Sequence, residues 1–361
     1  LRVPRDVWLL GAISLINDVS SEGIFAVLPY YLTSLGGGPA LVGTTWGGME
    51  LVKSVLNVAS GRLFREPGRA KPAVALGYAV SAVAKLILSL VREPNTAAVV
   101  ASLERVGKGV RTPPRDAILA GLAGDEPGLV FGIHRTMDTL GAILGALLAA
   151  LLLTEGVEPR AAIAVFAVLG FLALLPLLPV EEKLPEEDER KPSRPMKRTL
   201  AVVTVYRLGA AGWMLYSLGV LGEKGPVAAA LAYAGFSTLH ALTSVPAGRL
   251  SDVIGPGRTL SLGYGGTALA AAVTALGHPW AGFLIYGASF GVVDAVERAA
   301  VAGASGDPTS YGSYHATVGI ASLVCGLAVG WLWEYLSPTI AFLYSAVLTA
   351  VAALIAPPIL G

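Results

Sequence analysis

Two carboxylates, Asp18 and Glu22, stand four residues apart in the stretch NDVSSE. On a helix that spacing puts both on one face, one turn apart. Where solvation is poor, neighbouring acids resist joint ionisation, so such a pair is a candidate proton site. The competing reading is a structural one, each acid bonded to a cation on another helix. A second cluster lies in ERVGKGVRTPPRD, residues 104–116, where Arg105, Lys108, Arg111 and Arg115 follow the apolar run NTAAVVASL. Cations so placed suit attraction of an anionic group, or a gate in which Arg111, Arg115 or Asp116 pairs across the molecule. Gly107 and Gly109 flank Lys108 and permit close helix approach, and Pro113 and Pro114 are expected to end the helix. In DAVER, Asp294 and Arg298 are also four apart and able to neutralise each other. Glu297 is then left for a partner such as Arg105 or Arg207.

Asp294 and Glu297 join Asp18 and Glu22 as proton-coupling candidates. Arg105, Lys108, Arg207, Glu104 and Tyr206 are substrate-binding candidates. Glu50–Lys53 and Arg135–Asp138 are local i,i+3 pairs and read as structural. The chemistry of soluble enzymes is poorly represented. GKG at 107–109 is no P-loop, since the glycine spacing is wrong and no Ser or Thr follows Lys108. His134, His240, His278 and His315 show no ligand spacing, and no metal or cofactor site is expected. Cys325 is the only cysteine, which excludes an intramolecular disulfide and a thiolate cluster.

The elements that position these residues follow from composition. The chain has 361 residues, 54% hydrophobic and 14% charged, with a mean hydropathy of +0.66. Soluble domains carry roughly 25% charged residues, so this chain lacks the polar surface to coat a water-soluble globule. Apolar stretches of about 20 residues, the length that spans a bilayer, recur from end to end. They form continuous blocks rather than an alternation, which argues for helices against a β-barrel. Twelve spans are expected: 7–34, 40–60, 72–91, 95–114, 128–153, 160–179, 199–221, 226–247, 259–277, 279–302, 312–334 and 337–358. The apolar start of the chain reads as the first span rather than a cleaved signal. Residues 181–198, EEKLPEEDERKPSRPMKR, read as a solvated linker between a half at 1–180 and a half at 199–361. Arg2, Arg5, Arg62, Arg65, Arg69, Lys71, Arg249, Arg258 and six linker cations fall on one side, against Arg92, Arg160 and Lys224 on the other. The positive-inside rule then puts both termini in the cytoplasm. A net charge of +1 gives no reason to expect nucleic acid.

The halves echo each other. GRLFREPGRAKPAVALGY at 61–78 matches GRLSDVIGPGRTLSLGY at 248–264, and VFGIHRTMDTLGAILGALLA at 130–149 matches SYGSYHATVGIASLVCGLAVG at 310–330. Two repeats joined by a linker are what a transporter with two rocking halves shows. On these motifs the chain resembles the major facilitator superfamily over essentially its whole length. The superfamily's loop signature is matched by Gly248, Leu250, Asp252, Gly255 and Arg258. In the first half Gly61, Leu63, Gly68 and Arg69 match, but Arg65 stands where an Asp is expected. The resemblance implies an all-α integral membrane fold of two pseudo-symmetric six-helix halves. It also implies that Asp252 helps lock the cytoplasmic side and that the first-half lock is altered. Spans one, four, seven and ten would line the cavity; spans three, six, nine and twelve would face lipid, and they carry only Lys85. ERVGKGVRTPPRDA also resembles a prokaryotic branch of the superfamily, and GAILGALLA at 141–149 resembles its exporter-associated motif without the Pro and final Gly pair. The expected protein is a monomeric, multi-pass plasma-membrane transporter of a small solute or ion, proton-coupled, with antiport and export slightly favoured. A divalent-cation carrier, using Asp18, Glu22, Asp138 and histidines, and a membrane transferase with His134 and Asp138 as its catalytic pair are the alternatives.

Overall fold

The structure, a computed structural model, describes residues 3–64, 66, 68–124, 126–184, 196–304 and 308–360, with backbone only at 127, 196, 298, 299, 302–304 and 308–311. Arg65 and the side chain of Arg298 therefore lie outside the described residues. The described residues are helical almost throughout, without strands. In order they form α1 (Arg5–Ser34), α2 (Pro39–Leu63), α3 (Ala70–Leu90), α4 (Pro94–Ala123), α5 (Pro127–Thr154) and α6 (Pro159–Leu172). After a single 3-10 turn (Leu175–Leu177) come α7 (Met196–Gly209), α8 (Trp213–Ile254), α9 (Pro256–Ala275), α10 (Pro279–Ala304), α11 (Pro308–Tyr335) and α12 (Pro338–Leu360). Proline opens most of them, because its missing N–H is unbonded in the first turn anyway and its ring presets helical φ.

Among the described residues, seven helices are long and apolar enough to cross a membrane: α1, α3, α5, α6 with its 3-10 turn, α10, α11 and α12. The charges explain why α4 falls outside this set: Glu104, Arg105, Lys108 and Arg111 occupy its middle. Exposed leucines and valines line the outside, among them Leu86, Ile87 and Leu90 on α3, Val168 on α6, Leu269 on α9 and Val347 and Leu354 on α12. That much bare apolar surface is stable against lipid and not against water.

The packing is interleaved. α1 lies on α5 and α6, and α3 on α4 and α6; α10 lies on α8 and α9, and α12 on α9 and α7. α2 packs along α11 and α5 along α8. Gly43 and Gly326 bring the α2 and α11 backbones together, since a Cβ on either would strike the other's carbonyl.

Three sequence expectations are corrected. Pro113 and Pro114 do not end α4, which runs on to Ala123. The prolines leave carbonyls of the preceding turn without donors, and Ser60 Oγ on α2 donates to Val110 O at 2.5 Å in compensation. Span seven is not continuous. α7 stops at Gly209, residues 210–212 are non-helical, and α8 continues to Ile254 with a break at Gly225 (φ 82°, ψ −180°), a conformation only glycine adopts cheaply. α12 supplies the partners the interruption needs: Tyr344 OH donates to Leu208 O at 3.0 Å, and Ser345 Oγ donates to Gly209 O and accepts from Ala211 N. Finally, the first residues of the expected solvated linker are anchored. Glu182 accepts from Gly68 N (2.6 Å) and Lys71 N (3.0 Å) at the start of α3, while Glu181 N donates to Asp6.

Candidate functional site

Polar side chains from α1, α2, α4 and α8 converge midway along the helices. Glu22 Oε2 accepts a hydrogen bond from Tyr233 OH at 2.6 Å, and Lys108 Nζ lies 3.8 Å from Glu22 Oε1. α1 and α4 are thus tied to α8 at a single carboxylate. Glu50 and Lys53 pair at 2.5 Å on the neighbouring α2, within electrostatic reach of Arg105 and Lys108, and Glu50 also feels Arg207. These side chains are not fully enclosed: those of Lys108 and Lys53 are 30% and 27% exposed. Toward the other end the site is closed by aromatic rings. Phe25 packs on Trp213 (5.6 Å between centroids), Trp213 meets Tyr233 edge-on (4.9 Å), and the Arg105 guanidinium lies 3.9 Å over Phe25. Trp46 of α2 covers Gly212, where a Cβ would collide with the indole, so the break between α7 and α8 sits directly behind this aromatic layer.

Asp18 accepts from Asn17 Nδ2 at 3.0 Å and is within electrostatic reach of Asp138, Lys108 and Glu22. The sequence set Asp18, Glu22, Arg105, Arg207 and Glu297 around one cavity; of these Asp18 and Glu22 are neighbours, with Lys108 beside them. Arg207 and Glu297 form a buried pair of their own, with Arg207 still within electrostatic reach of Glu50. Glu297 is 0% exposed. Its Oε2 is 2.5 Å from Arg207 Nη2 and accepts from Tyr314 OH at 3.0 Å, while Oε1 accepts from Tyr264 OH at 3.0 Å. Tyr206 stacks on Tyr264 at 4.1 Å and shares a hydrogen bond with Thr267. Arg207 and Tyr206 are thus committed to protein partners, and so is Glu297.

Glu104 and Arg105 are buried, at 3% and 5%. Arg111 is buried too, donating to Ser81 Oγ at 2.8 Å with its guanidinium over Tyr78. Arg115 and Asp116 pair with each other at 2.9 Å rather than across the molecule.

A third group lies toward the end where α1 begins. Asp138 accepts from Ser14 Oγ and neighbours His134 (4.0 Å) and Arg135 (3.8 Å); Arg135 reaches Asp294 of α10 at 3.1 Å, and His240 of α8 is 3.4 Å from the same carboxylate. This chain of contacts ties α5 to α8 and α10. Arg135 was expected to serve a local pair only; its long side chain bonds Asp294 as well. Asp252 and Arg258 are both exposed, and Asp252 forms no ion pair among the described residues. Among the described residues, no group of three His, Cys, Asp or Glu side chains is arranged to hold a metal ion.

Sequence reasoning passed over Glu50 and Lys53, because an i,i+3 pair looks alike on a cavity wall and on a structural face. Tyr233 and Trp213 were missed because a lone aromatic in an apolar span carries no signal of its own.

Helices without strands, exposed apolar flanks and a buried polar interior define a polytopic membrane protein. Residues 10–223 match the family model of the Major Facilitator Superfamily, and the chain belongs to that superfamily. It is 33% identical to an uncharacterized MFS-type transporter of Methanocaldococcus jannaschii, over 97% of this chain and 94% of that one. Among solved structures it resembles the nucleoside transporter NupG, with a TM-score of 0.80 at 14% identity over 99% and 100% of the two chains. It also resembles a POT family transporter in complex with 5-aminolevulinic acid, with a TM-score of 0.76 at 14% identity over 98% and 95% of the chains.

Proposed function

We propose that this chain is a secondary active transporter that moves a small solute by alternating access of two six-helix halves, residues 1–180 and 199–361. The transport is proton-coupled and runs most readily as export by antiport. The observation that carries the reading is Glu22, whose carboxylate joins Lys108 of the first half to Tyr233 of the second midway through the molecule. A solute binding there exchanges protein contacts for its own and so biases the two halves relative to each other. The interleaving of α2 with α11 and of α5 with α8 supports this, since the same two helix positions meet in pseudo-symmetric pairs. Positive-inside asymmetry supports cytoplasmic termini in a plasma membrane, and the twelve-span count follows if α8 crosses beyond Gly225.

The partly exposed Lys108 and Lys53 suit an anionic or zwitterionic head, and the Phe25–Trp213–Tyr233 layer suits a flat apolar part. Three probes test this in proteoliposomes: uridine, 5-aminolevulinic acid and ethidium, each assayed with and without an imposed pH gradient. Accumulation of one of them that depends on the gradient and is lost in Glu22→Gln, with exchange down its own gradient retained, is the expected result. Gradient-driven accumulation by both Glu22→Gln and Asp18→Asn removes this pair from the coupling role. A protein silent to all three probes, and unshifted in thermal stability by them, removes the substrate class.

A further inference from the structure

Lys85 is a charge that this reading leaves unused. It lies on α3 and is 0% exposed, enclosed by α1, α4 and α6. Its ammonium donates to Ser20 Oγ at 3.0 Å and to Asn17 Oδ1 at 3.4 Å, both on α1. α6 presents Gly170 and Phe166 here, neither of them titratable. α4 presents Glu104, Arg105 and Arg111, buried at 3%, 5% and 2%, with Lys108 further toward water. From α1 the nearest acid that acts on Lys85 is Asp18.

Charge and space agree about this place. Three buried cations, Lys85, Arg105 and Arg111, share one buried carboxylate, Glu104, with Asp18 and Glu50 acting on them from less buried positions. A surplus of buried positive charge is costly, and an arginine does not give up its proton inside a protein. A buried lysine does so readily. Beside Lys85 lies a cavity of about 10 Å³, lined by Ser21, Phe25, Lys85 and Glu104 among others. That volume is close to the minimum for one water. Both carboxylate oxygens of Glu104 and the Ser21 hydroxyl lack a hydrogen-bond partner among the described residues. Lys85 has a third N–H beyond the two it uses. Three polar groups around one water is the usual number for a buried site.

We infer that Lys85 is a proton-exchanging site, with a water held among Lys85, Ser21 and Glu104 as its immediate proton acceptor. The step balances simply. An N–H bond of the ammonium breaks, the nitrogen keeps the electron pair as a neutral amine, and the water takes that proton while passing one of its own to a Glu104 carboxylate oxygen, so that charge is conserved and no free hydronium is left. Reprotonation reverses it. The neutral amine keeps the two N–H bonds that reach Asn17 and Ser20 but loses the charge that strengthens them, so α1, which carries Asp18 and Glu22, is held less firmly against α3. This inference rests on the proton-coupled reading above, supplying it with a site outside the central cluster.

The test needs no substrate. The chain has eight lysines, so lysine labelled with nitrogen-15 at the side chain gives few signals in solid-state NMR of proteoliposomes. One signal, absent from Lys85→Met, is expected to convert from ammonium to amine as pH rises, while the other lysines remain ammonium. Ser21→Ala and Glu104→Gln are expected to move the midpoint of that conversion. Should Lys85→Met fold poorly, Lys85→Met with Glu104→Gln removes the pair together and still assigns the signal. A Lys85 signal that stays ammonium until the exposed lysines titrate overturns the inference, even where pH-driven flux is intact. A converting Lys85 in a protein whose flux ignores the pH gradient supports the site and sinks the coupled-transport reading instead.

Discussion

Glu297 on α10 and Glu104 on α4 are buried almost equally, at 0% and 3%, and their surroundings differ in every other respect. Glu297 has three bonded partners, Arg207, Tyr264 and Tyr314, which occupy both of its oxygens. Glu104 has none among the described residues: its nearest cation, Arg105, approaches edge-on at 3.6 Å without a hydrogen bond. One is a closed clamp, in which satisfied lone pairs repay the cost of burial. The other keeps bonding capacity free next to a water-sized cavity. Depth of burial therefore does not separate structural from working charges here; the bonding inventory does.

The largest effect should come from breaking the clamp. Glu297→Gln leaves Arg207 without a counter-ion in a site that cannot rehydrate, and Arg207 has no means of becoming neutral. The expected loss is about 3–5 kcal/mol, read as a drop in unfolding temperature in lipid or detergent. Pairing it with Arg207→Met should restore most of the loss, because the unpaired charge is then gone. A single variant as stable as the parent would mean that the tyrosines, not the ion pair, hold the site.

Glu104→Gln is the matched change in the other region, and its cost should be smaller, about 1–3 kcal/mol. Lys85 is able to shed the proton that Arg207 cannot, which offsets the lost carboxylate. The cost should shrink further as pH rises, and adding Lys85→Met should abolish that pH dependence. Equal losses for Glu104→Gln and Glu297→Gln at every pH would erase the distinction between the two regions.

Much of this was legible before the structure. Charge concentrated in the first, fourth, seventh and tenth spans pointed to a polar interior, and the Asp18–Glu22 spacing to one helix face. What failed depended on partners from elsewhere in the chain. Pro113 and Pro114 look like a helix end until Ser60 is seen to take the freed carbonyl. The interruption at 210–212 has no signature in VYRLGAAGWM, because the groups that stabilise it, Tyr344 and Ser345, are more than 130 residues away. Lys85 was conspicuous in sequence as a charge among lipid-facing spans. Only the packing of α3 against α4 and α6, with side-chain hydrogen bonds to α1, turns it inward.

Tyr233→Phe probes the link between α8 and α1. It removes the hydrogen bond from α8 to Glu22 and keeps the ring packed against Trp213 and Phe236, since only the hydroxyl is lost. The stability cost should be about 1 kcal/mol. Its effect on transport should be larger than its effect on stability, with pH-driven accumulation of whichever probe is carried reduced and exchange retained. Equal reduction of both modes would assign Tyr233 to solute binding rather than to coupling.

The smallest effect concerns a carboxylate that is neither buried nor paired. Glu93 stands at the start of α4, outside the spans, fully exposed, and accepts from Thr96 N at 2.5 Å and Asn95 N at 3.0 Å. Those hydrogen bonds, Thr96 first, pull its carboxyl down to about 2. With its carboxyl so depressed, the folded state binds the proton less readily than the unfolded chain does. The stabilisation from this cap is thus fully present above the ordinary glutamate value of about 4.3 and is lost as pH falls toward about 2. Amide exchange at Asn95 and Thr96 should accelerate across that window in the parent protein. Glu93→Gln should show the faster exchange at every pH and no step. A parent whose Thr96 amide exchanges at the same rate across the window would show that the cap is not formed in the membrane, and that bonding, like burial, fails as a guide at the surface of this molecule.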